Sequence, residues 1–417
     1  MKNLFILLLF SVTCLFYACD NTLTVVETPI LPIKPAQSID IPVALAPRIS
    51  QGNMFAFDLF YKILQTTNEK NVFISPLSVD FALGMTLNGA NSITKQEMKN
   101  VLHHSGLTDT QINEYYQLML NTLPSIDPTT KLNIANSIWY RKGFQFYQSF
   151  LDINAKYFNA EISSLDFSSP TALKTINDWC AKKTNNLIKN PLNKIDVNDV
   201  MYLINAIYFK GIWISQFEKK NTAKAPFNNE NNSQSRVDMM CNPKGKFPYY
   251  SDSNAQYLDM GYGNGAFSMT VILPCNGKTL KDVYDNLSEE YFKDIVNNRL
   301  DSTKIEVYLP RFKTEYKTEL NDILIALGMP SAFDLPPGSA DFSRMSQANL
   351  KINKVIHSTY VEVNEEGTEA AAVTIVGIEL TSAGVKPPVF RADKPFIFVI
   401  RENSTGVILF MGKIGEI

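Results

Sequence analysis

Val355-Ile356-His357-Ser358-Thr359-Tyr360-Val361-Glu362-Val363-Asn364-Glu365-Glu366-Gly367-Thr368-Glu369-Ala370-Ala371-Ala372 joins a strand to a segment that could become one. Residues 355–363 are rich in β-branched and aromatic side chains and read as a strand. Glu365, Glu366 and Gly367 break it with charge and a glycine. From Thr368 small residues come first, and β-formers follow through Val373-Thr374-Ile375-Val376. At strand period, one face carries Thr368, Ala370, Ala372, Thr374, Val376, Ile378 and Leu380, none charged and none proline. The other face carries Glu369, Ala371, Val373, Ile375, Gly377 and Glu379, and so both charges. No proline blocks a backbone ladder before Pro387. Such a segment can enter a sheet with its neutral face inward. Taken alone, the Glu-Ala octapeptide would favour helix or turn.

The chain around it has 417 residues, 45% hydrophobic and 19% charged, which supplies ample apolar surface for a core. The length favours two domains or one large mixed domain. A net charge of −2 gives no sign of nucleic acid or an anionic membrane as partner.

The N-terminus reads as an export signal. Lys2 supplies the positive start, residues 4–16 an apolar run, and Ala18 a small residue at the cut. Ala18 directly before Cys19 resembles a bacterial lipobox, although Phe16 and Tyr17 are bulkier than usual there. Residues 1–18 are thus expected to be removed and Cys19 to carry lipid. Ordinary cleavage near the same place is the alternative, and both imply export. Residues 19–47 hold Pro29, Pro32, Pro35, Pro42 and Pro47 and read as an extended tether. The location expected is a bacterial outer-membrane lipoprotein, periplasmic or surface-exposed, or otherwise a secreted protein. Lipid would be its sole membrane contact. Of five cysteines, Cys180, Cys241 and Cys275 remain in the body, at no metal-like spacing, and read as buried free thiols.

Residues 48–417 show no linker, repeat or low-complexity tract. Helical spacing covers 53–64 and returns at 322–327. Strand patterns cover 131–139, 238–240, 267–273, 304–309, 351–363 and 396–401. Residues 201–209 form a nearly continuous apolar run, expected for a strand buried on both faces. Helices early and strands crowding later argue for an α+β body.

Several blocks in order resemble the serpin family over about residues 53–413. They are Asn71-Val72-Phe73-Ile74-Ser75-Pro76-Leu77-Ser78, Asn205 to Phe209 with Lys210-Gly211-Ile212-Trp213, and Val307-Tyr308-Leu309-Pro310-Arg311-Phe312. Ala340-Asp341-Phe342-Ser343-Arg344-Met345, Phe390-Arg391-Ala392-Asp393-Lys394-Pro395-Phe396 and Ile408-Leu409-Phe410-Met411-Gly412-Lys413 complete them. Departures are Cys180 for a usual Val, Asn186 for a usual Gly, and the leader.

The resemblance implies a three-sheet body with a helical surround and an exposed reactive loop near the C-terminus. It implies no enzyme and no cofactor or metal, but a monomeric suicide-substrate inhibitor of endopeptidases. A target protease forms an acyl-enzyme on the loop; the loop then inserts into the main sheet and distorts the protease before hydrolysis finishes. The hinge would be Glu365, Gly367, Thr368, Glu369, Ala370, Ala371 and Ala372, small enough and neutral enough on its inward side to insert. Family spacing puts the reactive bond fourteen residues after Gly367, at Thr381-Ser382, with Leu380 as second choice. No Lys or Arg lies between Glu365 and Val385, so elastase-like, subtilisin-like or papain-like targets are expected before trypsin-like ones. A polar shutter is implied at Ser75, Ser78, Asn205 and His357. At the top of the gap, the breach, the resemblance implies Arg311, Glu365 and Trp213, with Arg311 and Glu365 ion-paired.

Two other classes remain open at this stage. An enzyme would need a base, and His103, His104 and His357 are the only histidines. His103-His104 reads as an exposed helix end, and Gly261-Tyr262-Gly263-Asn264-Gly265 as a hairpin turn without dinucleotide spacing. The alternative is a non-inhibitory serpin-fold binding protein at a surface.

Overall fold

Among the described residues the alternating segments assemble into three sheets, of seven, six and four strands. The computed structural model describes residues 35–196, 198–368 and 387–417. Cys19, Glu369, Ala370, Ala371, Ala372, Leu380, Thr381 and Ser382 lie outside the described residues.

The seven-stranded sheet forms the interior. Its strands Phe267–Pro274, Phe396–Glu402 and Ile408–Ile414 are buried at every position, which explains their near-continuous apolar sequence. Phe73 stacks on Phe410 with centroids 5.2 Å apart, welding the edge strand Asn71–Ile74 to this core.

Beneath the main sheet runs helix Pro76–Leu87. Ser75 caps it by accepting from the Ser78 amide, and Pro76 occupies the first turn, where no amide is needed. Nearly every position of this helix is buried. Its Asp80 pairs with the fully buried Arg48 of helix Pro47–Thr66 and accepts from Tyr116 at 2.7 Å. His104 lies in the same cluster, fully buried, with Nε2 3.4 Å from the Tyr116 hydroxyl. The expected exposed helix end is therefore wrong for His104. Burial, then the nearby Arg48, push its pKa well down, so it is a neutral core histidine.

The main sheet has the order Phe312–Glu319, Ile356–Val363, Gly367–Thr368, Met201–Ile212, Lys131–Arg141, Glu161–Leu165. Strands 201–212 and 131–141 pair along most of their length. Strands 312–319 and 356–363 do the same. Between these two halves, among the described residues, lies only the short strand Gly367–Thr368, in which Thr368 pairs with both neighbours and Gly367 with Ile212.

Two strand expectations change as a result. Residues 201–205 are half-buried rather than buried on both faces, and one flank has no neighbour strand among the described residues. The strand expected over 351–363 starts at Ile356. Just before it, the Leu320 amide donates to the Val355 carbonyl, and the Asn321 side chain pairs with the Val355 amide and the Asn353 carbonyl. Those bonds replace a ladder.

Part of the segment expected as a tether packs on the body. Ile39 and Leu45 are buried, and the Ile39 amide donates to Ser404 Oγ at 2.9 Å. Pro47 opens the first helix. Residues 35–47 thus include part of the body. The cysteines are free among the described residues, with Cys180 buried but Cys241 and Cys275 only half-buried.

Replacing Ile39 with Asp should lower the stability of the intact protein by roughly 2–3 kcal/mol, since it strips an apolar contact and buries a charge. A urea titration with an unchanged slope checks this; an unmoved midpoint would show that the leader only rests on the surface.

Candidate functional site

The missing neighbour leaves a cavity of roughly 650 Å³ between strands 201–212 and 356–363. Its floor is helix Pro76–Leu87, through Ser78, Val79 and Leu83. Its roof is residues 184–196 and 198–200, the connection from helix Pro170–Lys183 to strand 201–212. Asn186, where the family has Gly, sits in that roof at φ 62°, a left-handed conformation that Asn tolerates. Two strand edges therefore face one another inside the molecule, with no ladder between them below Thr368 among the described residues. An unpaired internal edge is a standing template for another strand.

Above the cavity, whose strand walls are residues 200–206 and 355–358, lies the turn where the expected hinge begins. The chain leaves strand 356–363, turns through Asn364, Glu365 and Glu366, and re-enters as Gly367 and Thr368. Thr368 pairs with Val363 on one side and Gly211 on the other. Glu365, Gly367 and Thr368 are buried, so the start of the loop is seated in the sheet and not exposed as expected. Gly367 is required there. Its φ is +156°, and a Cβ would lie 2.0 Å from the Gly211 carbonyl oxygen.

Thr368 points to the core, where its hydroxyl meets the Tyr262 hydroxyl at 2.7 Å. Tyr262 in turn stacks on Trp213 with centroids 4.3 Å apart. Trp213 donates its ring N–H to the Asn364 carbonyl at 3.0 Å and its amide to the Glu366 carbonyl at 2.8 Å. Trp213 thus holds the turn by its backbone. Arg311 Nε lies 2.8 Å from Glu365 Oε2, and its Nη2 lies 2.5 Å from Oε1, a bidentate pair. Thr222 adds a third donor at 2.5 Å. Burial alone would raise the Glu365 carboxyl, but the bonds from Arg311 and Thr222 outweigh it and hold its pKa below the usual range.

Lower down, His357 faces the floor and accepts the Ser75 amide on Nε2 at 3.0 Å. Ser75 Oγ donates to the Leu409 carbonyl and accepts from the Ser78 amide. Asn205 does not join these three. It donates to Asn136 at 2.8 Å, and its Oδ1 is buried without a hydrogen-bond partner among the described residues. The expected shutter is thus split: Ser75 and Ser78 belong to the floor and link to His357 on one bank, and Asn205 with Asn136 lies on the other. The Ser75–His357 contact is no catalytic dyad. The ring meets the serine amide and not its hydroxyl, and both residues are buried.

Sequence patterns missed Tyr262, Asn136, Asn364 and Thr222. The polar Asn136 at an inward position of an alternating strand was the one usable signal.

Burial pushes the His357 pKa from an ordinary 6.5 down to about 4. The native ring therefore stays neutral while the unfolded ring titrates near 6.5. Stability is present above that value and falls as pH drops from 6.5 towards 4, by up to about 3 kcal/mol for such a shift. Glu365 has the same sign, its contribution failing as pH falls below the ordinary carboxylate range. Urea midpoints from pH 7.5 to 4 should fall, and His357→Gln should flatten the upper part of the curve. Arg311→Met leaves the buried Glu365 carboxylate without its pair and should cost about 2–3 kcal/mol at pH 7 and less at pH 4. A pH-independent loss would contradict the ion-pair account.

A family model described as "Serpin (serine protease inhibitor)" matches residues 50–417. The leukocyte elastase inhibitor of Xenopus laevis is 36% identical over 370 residues, 86% of this chain and 96% of that protein. A serpin-like protein of Methanosarcina acetivorans is 33% identical over 375 residues, 87% of this chain and 86% of that protein. Among solved structures, the thermophilic serpin tengpin in its native state superposes with a TM-score of 0.81 at 32% identity, covering 93% of this chain and 98% of tengpin. Human thyroxine-binding globulin superposes with a TM-score of 0.80 at 27% identity, covering 89% and 99%. The same fold thus carries a protease inhibitor and a protein named for thyroxine binding. By its sequence blocks, its three sheets and these relatives, the chain belongs to the serpin family.

Proposed function

We propose that the protein is a suicide-substrate inhibitor of serine endopeptidases, and of papain-like cysteine endopeptidases where they accept the loop. The observation that carries this is the seated pair Gly367–Thr368 at the head of an open gap. The two registers extend arithmetically. Opposite strand 201–212 residue numbers sum to 579, and opposite strand 356–363 they sum to 731. A strand continuing from Thr368 would therefore set Thr374 opposite both Asn205 and His357. Its inward side chains would be those of Thr368, Ala370, Ala372, Thr374, Val376, Ile378 and Leu380, all neutral. Each added backbone bond contributes roughly 1 kcal/mol net, and apolar burial adds to it.

The chemistry belongs to the protease. Its nucleophile attacks the Thr381 carbonyl carbon, the bond to Ser382 breaks, and the Ser382 amine leaves with the released peptide. Thr381 remains as an acyl ester, or thioester, on the enzyme. Insertion of the hinge then competes with hydrolysis. The absence of Lys and Arg from 365–385 favours elastase-like, subtilisin-like or papain-like targets, since a trypsin-like S1 pocket requires a cation. A related elastase inhibitor is consistent with that preference.

The leader fits export of a monomer acting at the cell envelope or outside. Residues 1–18 would be the signal and Cys19 the lipid attachment. With Ile39 docked, residues 19–38 could span about 60 Å as an extended chain.

Mixing with a panel of elastase, subtilisin, papain and trypsin should give SDS-resistant complexes with some of the first three. Mass spectrometry of the released peptide should start at Ser382, or at Thr381 if Leu380 is attacked. Thr374→Arg, which forces a charge beneath the sheet, should abolish complexes while cleavage persists. Cleavage without any trapped complex across the panel would favour the non-inhibitory binding protein, and a new N-terminus at Pro387 would overturn the register.

A further inference from the structure

The foot of the gap carries ties that the family blocks do not include. Asn353, exposed just before strand 356–363, donates its side-chain amide to Asp199 Oδ1 at 2.7 Å. Asp199, buried just before strand 201–212, belongs to the opposite bank. Its other carboxylate oxygen accepts from the Tyr202 hydroxyl and from the Asp196 amide. The bond thus joins the two strands at the end farthest from Gly367. A second tie crosses above it. Lys317, opposite Ser358 in the next strand out, extends its ammonium to the Asn190 carbonyl at 3.1 Å and to Asn193 Oδ1 at 2.9 Å. Asn190 and Asn193 belong to the cavity roof.

The roof is also held from its own side. Asn177 of helix Pro170–Lys183 exchanges two hydrogen bonds with the backbone of Leu192, at 3.1 and 2.9 Å. That contact lies within one bank and can survive a widening of the gap. The Asn353 and Lys317 contacts span the gap and cannot. A strand travelling down from Thr368 must break them before it completes its ladder.

We propose that Asn353–Asp199 and Lys317–Asn190/Asn193 form a clasp that sets the rate of strand insertion by bridging the foot of the gap. The proposal rests on the insertion mechanism above and adds its control. Asn353 and Lys317 are positioning residues: neither would touch a protease. Because the clasp exists only in the uninserted state, its loss should weaken that state alone. A structural role would weaken both states alike.

The test compares wild type, Asn353→Ala, Lys317→Ala and the control Lys174→Ala, whose ion pair with Asp178 lies wholly on one exposed helix face. The loop is cut with a protease that is not trapped, and insertion is followed by tryptophan fluorescence. Trp213 sits at the head of the gap and Trp139 and Trp179 pack on the main sheet. Asn353→Ala should speed insertion roughly tenfold, as expected for loss of a hydrogen bond to a charged group. Lys317→Ala, exposed and screened, should speed it about threefold. Both should lower the urea midpoint of the intact protein and leave that of the cut protein unchanged, while Lys174→Ala changes neither. Wild-type rates in both variants, or equal weakening of intact and cut forms, would overturn the clasp alone. Wild-type protein that gains no stability on cutting would overturn the insertion mechanism and the clasp with it.

Discussion

Two facing strand edges with only Gly367 and Thr368 between them among the described residues form the constraint on which the structure turns. A sheet normally satisfies every internal amide and carbonyl with its neighbours, and an exposed edge is already a liability. Here the liability lies at the centre, over a cavity of roughly 650 Å³. The rest of the body is arranged to tolerate it. The seven-stranded sheet is packed solid behind, helix Pro76–Leu87 forms a floor, and the connection to strand 201–212 forms a roof.

Opposite tendencies act at the two ends of the gap. At the head the first rung is in place, held by Gly367 against the Gly211 carbonyl, by the Thr368–Tyr262 hydroxyl pair and by the Arg311–Glu365 ion pair. At the foot, Asn353 and Lys317 reach across. Between them, His357 is satisfied from below by Ser75, while Asn205 keeps a carbonyl oxygen unpartnered among the described residues. A buried unsatisfied acceptor costs free energy until something donates to it. Among the described residues the gap is thus paired at its head, bridged at its foot and left with an unpartnered acceptor in its middle.

Much of this was legible because strand period is a local property. The neutral face beginning at Thr368, the strand at 131–139, the ion pair of Arg311 with Glu365 and the α+β class all follow from patterns or family blocks in the chain. What escaped depends on partners distant in sequence. An apolar run at 201–209 predicts burial on both faces, and only the tertiary arrangement removes one neighbour. His104 lies in a polar sequence, yet Arg48, Asp80 and Tyr116 from three separate segments bury it. Asn353 and Asp199 look like ordinary loop residues until their strands are brought side by side. Prolines at 35, 42 and 47 suggest an extended leader, but Ile39 and Leu45 are apolar enough to dock.

The central claim is that the gap is a vacant strand position which the cut loop fills. Amide hydrogen exchange along strands 201–212 and 356–363, before and after cutting the loop, tests it most directly. Amides facing the gap at residues 201–206 and 356–358 should exchange quickly in the intact protein and become strongly protected after cutting, while the strand pair 131–141/201–212 stays protected throughout. Unchanged exchange at those positions after a verified cut would contradict the account.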